Sequence, residues 1–128
     1  MSALTRISID AARAPVYHVP DASSTLDVAA RLLADTATPT PHLTTVIADS
    51  QSAGRGRLGR SWITPPGQAL LASTIVSLPA SLPTEALGWI LHACALAVRD
   101  ALSERLTDLG HTVTLKWPND VLVDEERK

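Results

Sequence analysis

The chain has 128 residues, 45% of them hydrophobic, and a formal net charge of −2. That length supports one domain with its own core, and the composition excludes a disordered chain. The near-neutral balance excludes a protein that reaches nucleic acid or an anionic membrane through bulk charge, and the single cysteine, Cys94, excludes an internal disulfide framework and a cysteine zinc cluster.

Met1 to Pro15 carries Arg6, Asp10 and Arg13 and has no apolar stretch of the signal-peptide kind, and no apolar run is expected to span a bilayer. A cytoplasmic location is expected, with no membrane partner. Residues 1–14 read as an extension. Val16, Tyr17 and Val19, closed by Pro20, predict a first strand. Ser24 with Asp27 three residues on resembles a capping box, and Leu26, Ala29, Ala30 and Leu33 predict the buried stripe of a helix ending near Asp35. Thr44 to Ala48, β-branched and apolar, predicts a buried strand. A glycine- and arginine-rich loop and the turn Thr64-Pro65-Pro66-Gly67 follow, then an apolar strand over residues 68–78. Thr84 is the expected N-cap of a long helix whose buried stripe reads Leu87, Ile90, Leu91, Cys94, Val98 and Leu102. Val113 to Trp117 predicts a strand, Pro118-Asn119-Asp120 a turn, Val121 to Val123 another strand, and Asp124 to Arg127 a hairpin tip. The order βαβ–loop–βαββ predicts an α+β fold, a mixed β-sheet layer packed by helices.

Three motifs carry chemistry. Gly54-Arg55-Gly56-Arg57-Leu58-Gly59 fits G-x-G-x-x-G, but a dinucleotide fingerprint needs a helix to open there. Arg60-Ser61-Trp62-Ile63-Thr64-Pro65-Pro66 cannot open one. A phosphate loop of the Gly-Lys-Ser/Thr kind does not form either, and no kinase catalytic-loop or Mg²⁺-binding signature accompanies the glycines. Glycines that admit an anion to the backbone, beside forked guanidinium donors, suit phosphate or carboxylate. A solvated basic loop touching nucleic acid has the same composition. An empty loop of this kind repels itself and is expected to order when an anion neutralises it. Lys116-Trp117-Pro118-Asn119-Asp120 is either a plain turn or a cation, aromatic face, amide and carboxylate gathered at a strand's C-terminal end, where open α/β sheets bind ligands. Ser23-Ser24-Thr25 is either a helix cap or a hydroxyl pair for a small polar ring. The histidines, His18, His42, His92 and His111, lack metal-ligand spacing.

Taken in order, Ser-Ser-Thr, then Gln51-Ser52-Ala53-Gly54-Arg55-Gly56-Arg57-Leu58-Gly59-Arg60-Ser61-Trp62, then Lys116 to Asp120, the motifs resemble those of biotin protein ligases over Val16 to Lys128. The resemblance implies a partial catalytic domain of the class II aminoacyl-tRNA synthetase and biotin ligase type over residues 15–128, expected to be truncated, with its C-terminal part and a small β-barrel absent. It implies activation of biotin by ATP and Mg²⁺ to biotinyl-5′-AMP, then transfer to a lysine of a biotin carboxyl carrier protein. It implies biotin-binding roles for Ser24, Thr25, Gln51, Gly54, Arg55, Gly56, Arg57 and Lys128. ATP or adenylate contacts fall to Arg57, Arg60, Trp62, Lys116, Asn119 and Asp120, with Mg²⁺ near the last two. Arg57 and Lys128 are the catalytic candidates. Leu26 stands where the family commonly has Asn, which removes one side-chain hydrogen bond and leaves the backbone available. The short stretch ahead of the first strand is too short for the helix-turn-helix domain of some relatives, so no DNA partner is expected. Two readings compete: a lipoate or octanoate ligase or transferase of related fold, and a non-enzymatic anion- or nucleic-acid-binding module. The 128 residues alone are expected to form adenylate poorly.

Overall fold

The computed structural model describes residues 3–9 and 12–125, with Arg57 described by its backbone alone. The chain divides into two compact units, Met1–Leu78 and Pro79–Lys128.

The first unit holds strands β1 (Thr5–Ile7), β2 (Val16–Ala22), β3 (Thr45–Gln51), β4 (Gly54–Arg55), β5 (Ser61–Trp62) and β6 (Leu71–Thr74), with helix α1 (Thr25–Ala34) between β2 and β3. Four of the strands form a mixed sheet in the order β1-β2-β3-β6. The β1/β2 and β3/β6 pairs are antiparallel, whereas β2 and β3 are parallel, joined through α1. Strand β1 lies ahead of the first strand expected from sequence, and its short length contributes only three pairs to the edge.

Register explains the core. Val19 pairs with Ala48, Val46 with Ser73 and Ala48 with Leu71, so alternation puts these side chains on one face. Helix α1 covers that face with Val28, Ala29 and Leu32, and Val46 beneath them is fully buried. Each large aliphatic side chain buried there contributes about 1.5–3 kcal/mol. The helix is rotated from its predicted phase: Thr25, Val28, Ala29 and Leu32 face inward, while Leu26 and Leu33 are exposed. Ser24 caps the helix, its Oγ accepting from the Leu26 N–H at 3.3 Å, and Thr25 bonds to the sheet. These polar anchors set the helix phase, so hydrophobic content alone misplaces the stripe.

Strand β6 is shorter than the predicted 68–78, because residues 68–70 are exposed and unpaired in the sheet register. Its line continues past Thr74 by backbone bonds outside the regular ladder: the Ile75 N–H donates to Thr44 O and the Leu43 N–H to Ile75 O, both at 2.8 Å.

The second unit is built from helix α2 (Leu87–Leu106) and the antiparallel hairpin β7 (Val113–Lys116) and β8 (Asp120–Val123). A 3₁₀ turn, Thr84–Ala86, precedes α2, and Pro83 occupies its cap position, so Thr84 is not the N-cap. The predicted apolar stripe is corrected. Ala95 is the one buried residue of α2, with His92, Arg99, Ser103 and Leu106 half-buried at helical spacing beside it; of the predicted stripe only Ile90 is half-buried. Leu87, Leu91, Cys94, Val98 and Leu102 are exposed. Small and polar side chains let the hairpin approach α2 closely, and the bulky stripe points elsewhere. From Thr84 to Leu109 this helix and its flanking turns are long and apolar enough, by length and composition, to cross a membrane, which corrects the expectation that no run reaches that length. The core helix of a soluble protein passes the same test.

Candidate functional site

The first motif is built where α1 meets the sheet. Thr25 is buried at the start of α1, and both its backbone N–H and its Oγ1 donate to Gln51 Oε1 at the end of β3, at 2.7 and 3.0 Å. The same Oγ1 lies 2.9 Å from Ser73 Oγ on β6. Three segments far apart in sequence are thus stitched together by one threonine. Ser24 is equally buried, and its hydroxyl is committed to the helix cap. The Leu26 N–H is spent on that cap, so the backbone that the Leu26 substitution was expected to leave available is already engaged.

The Gly/Arg loop is a small β-hairpin with a three-residue 3₁₀ turn, Arg57–Gly59, at its tip; as its following residues predict, no α-helix opens there. β4 pairs antiparallel with β5, Gly54 opposite Trp62 and Arg55 opposite Ser61. The Gly56 N–H donates to Arg60 O at 2.7 Å. Leu58 and Gly59 at the tip both have positive φ, 57° and 73°, the left-handed region that glycine adopts freely. A leucine there is costly, and its side chain is 90% exposed, so packing does not offset the strain. Gly54 is required by close approach: a Cβ would sit 2.5 Å from Trp62 O and 3.0 Å from Gln51 Nε2.

Arg55 reaches back to α1, where its Nη2 donates to Asp27 Oδ1 at 2.5 Å, and Ser23 Oγ donates to Asp27 Oδ2 at 3.0 Å. The Arg55 hydrogen bond, reinforced by Ser23, holds the Asp27 carboxyl below its ordinary value. Asp27 therefore does not close a capping box, because its oxygens serve Arg55 and Ser23.

These residues enclose a pocket of about 330 Å³ whose lining includes Ser24, Thr25, Gln51, Arg55, Trp62 and Ser73. A larger hollow of about 660 Å³ lies along Val19, Val28, Leu32, Asp21 and Ser50 and holds none of the predicted site residues. Converging polar groups rather than volume mark a binding site, so the smaller pocket is the candidate. It gathers five predicted residues: Ser24, Thr25, Gln51, Arg55 and Trp62. Ser73 was missed from sequence, although a serine at an inward position of an apolar strand is the signal that finds it. Arg60 and Gly56 form the neck of the hairpin. Arg57 lies in its turn, and Lys128 lies outside the described residues.

Lys116, Asn119 and Asp120 belong to the second unit. Lys116 pairs with Asp120 across the hairpin, and Trp117-Pro118-Asn119 makes the turn, with a cis bond before Pro118. Asn119 Nδ2 donates to Asp120 Oδ1 at 3.0 Å. His92 on α2 braces the turn: its Nδ1 lies 3.0 Å from Pro118 O, and its ring stacks on Trp117 with centroids 4.1 Å apart. Among the described residues no group of three His, Cys, Asp or Glu side chains could hold a metal ion.

A mixed sheet backed by one capped helix, with a hydroxyl–amide cluster under an arginine-bearing hairpin, makes the first unit an α+β domain with a built polar pocket. The chain belongs to the Biotin/lipoate A/B protein ligase family, whose profile matches residues 22–128. A biotin–[acetyl-CoA-carboxylase] ligase of Mycobacterium tuberculosis is 39% identical over 60% of this chain and 29% of its own length. A bifunctional ligase/repressor BirA of Bacillus subtilis is 32% identical over 88% of this chain and 32% of its own. The crystal structure of a Leishmania major biotin protein ligase in complex with biotinyl-5-AMP matches with a TM-score of 0.66 and 31% identity, covering 84% of this chain and 46% of that one. The chain spans about a third of the length of these curated relatives.

Proposed function

We propose that the protein is a biotin protein ligase: it activates biotin with ATP to biotinyl-5′-AMP and transfers the biotinyl group to a lysine of a biotin carboxyl carrier protein, acting in the cytoplasm. The observation that carries this reading is the Thr25–Gln51–Ser73 cluster facing a pocket under Arg55. Its hydroxyl and amide groups suit the ureido ring of biotin, and Gln51 and Ser24 frame it. In the first step a biotin carboxylate oxygen attacks the α-phosphorus of ATP and pyrophosphate leaves. In the second the carrier's lysine amine attacks the acyl carbon of the mixed anhydride and AMP leaves.

The chain's part is electrostatic and positional. A carboxylate and a triphosphate repel, and the repulsion grows as water leaves. Arg55 and Arg57 on the hairpin offset it, with Gly54 and Gly56 admitting the ligand to the backbone, and Lys128 meets the carboxylate and phosphate. Arg60, Trp62, Lys116, Asn119 and Asp120 serve ATP and the adenylate. Removing one donor of this kind costs about 3–4 kcal/mol in the transition state. Asn119 and Asp120 would be the residues to hold Mg²⁺ brought by ATP, an amide and a carboxylate that suit an ion shared with phosphate better than a closed protein cage. Mg²⁺ supplies charge neutralisation on the phosphates.

Isothermal titration with biotin and with lipoate, followed by biotin-dependent exchange of pyrophosphate into ATP, tests the reading. Biotin is expected to bind and lipoate not. A preference for lipoate would move the chain to the lipoate branch. Binding of nucleic acid with a steep salt dependence and no biotin preference would replace the enzyme by a binding module.

A further inference from the structure

Asp27 has no part in the reaction above, yet it joins the two elements that frame the pocket. It stands in the first turn of α1, two residues beyond Thr25. One carboxylate oxygen accepts from Arg55 on β4 and the other from Ser23 just ahead of the helix. Both carboxylate oxygens are therefore engaged, and the side chain is aimed rather than loose. The helix dipole favours a negative charge at this end. A guanidinium has five N–H donors, so a contact to Asp27 leaves others for an incoming anion. The hairpin also carries Arg57 and Arg60, whose like charges oppose its closure.

We infer that Asp27 is a positioning residue for Arg55: it ties the arginine hairpin to α1 and holds the guanidinium at the rim of the pocket before ligand arrives. This modifies the expectation that the empty loop merely repels itself, because Arg55 has its counter-charge within the chain. The identity of the anion rests on the biotin reading, whereas the tie itself rests on geometry alone. If only a fraction of molecules presents Arg55 correctly, apparent affinity falls by that fraction. A half-exposed ion pair shifts such an equilibrium by a factor of at most about 5.

The test compares full-length wild type with Asp27→Asn, Asp27→Glu, Arg55→Gln and the Asp27→Asn/Arg55→Gln double variant. Two quantities are read: the biotin dissociation constant by calorimetry, and the rate of limited trypsin cleavage after Arg57 and Arg60 without biotin. Asp27→Asn is expected to weaken biotin binding and speed hairpin cleavage, each about three- to fivefold. Asp27→Glu restores both. Arg55→Gln speeds cleavage equally, and the double variant is no faster than Arg55→Gln alone. A helix-capping role without positioning predicts lower thermal stability with unchanged hairpin cleavage, and that result overturns the inference. So does an Asp27→Asn protein that matches wild type in both readouts. Should Asp27→Asn fail to fold, unchanged cleavage in Arg55→Gln overturns it instead. A wild type that binds no biotin removes the biotin reading, while the cleavage rates still decide the tie.

Discussion

The two helices of this chain obey opposite rules. Helix α1 is ten residues long and buries the face that its polar anchors select, Thr25 with Val28, Ala29 and Leu32. Helix α2 is twice that length, carries five leucines against three, and buries Ala95 alone. The difference lies in the partner surface. A four-stranded sheet offers α1 a continuous apolar face, and hydrogen bonds from Thr25 fix which side of the helix meets it. A two-stranded hairpin is narrow, and the small and polar side of α2 approaches it most closely. Leucine content therefore does not locate a buried face where a close-fitting partner and a polar anchor compete with it.

Four substitutions and titrations sharpen this contrast, the largest first. Leu32→Ala in α1 is expected to cost about 2–5 kcal/mol, because it empties a position in the core cluster that also holds Val28, Val46 and Ile75; urea unfolding measures it, and a loss below about 1 kcal/mol would put α1 on the same footing as α2. Thr25→Val keeps the volume and the backbone bond to Gln51 but removes the hydroxyl shared by Gln51 and Ser73. About 1–3 kcal/mol of stability should go with it, along with roughly tenfold in biotin affinity if the hydroxyl also meets the ligand. Acid titration comes next. Asp27 and Asp124 both have their carboxyls held below the ordinary value of 3.8, Asp27 first by Arg55 and Asp124 first by the Thr112 N–H and then by His111. A lowered folded pKa stabilises above the unfolded value and is lost as pH falls through the folded one. These two carboxylates should therefore leave stability flat at neutral pH and weaken it only below 3.8, a profile that thermal melts against pH would display. The smallest effect belongs to Leu91→Ser on the exposed side of α2, within about 0.5 kcal/mol. A larger loss, read in the same urea series, would show that the outward stripe is packed after all.

What the sequence discloses depends on which force decides. The strand positions at Val16, Thr45 and Val113 follow from β-branched runs, and they are where the reading places them. The refusal of the glycine loop to open a helix was legible in Thr64-Pro65-Pro66, and its hairpin form follows. Gln51 and Thr25 were legible as candidate site residues through the resemblance, while their direct bond depends on the parallel pairing of β2 and β3, which composition does not reveal. Ser73 was visible as a serine inside an apolar strand, but register with Val46 and the bond to Thr25 are what give it meaning. The stripe of α1 was misphased by one residue, since Leu26 and Leu33 outrank Val28 and Leu32 in bulk but not in geometry. Cys94 was misread for the same reason.

The Thr25 hydroxyl joins residues 26 and 48 positions apart along the chain. Contacts of that span form only after the long loops between them have closed. The pocket wall is thus a late product of folding, complete when β2, α1, β3 and β6 have all come together and absent from any partly assembled form. A ligand that recognises this wall selects the finished topology over every intermediate, and by mass action it raises the population of that topology.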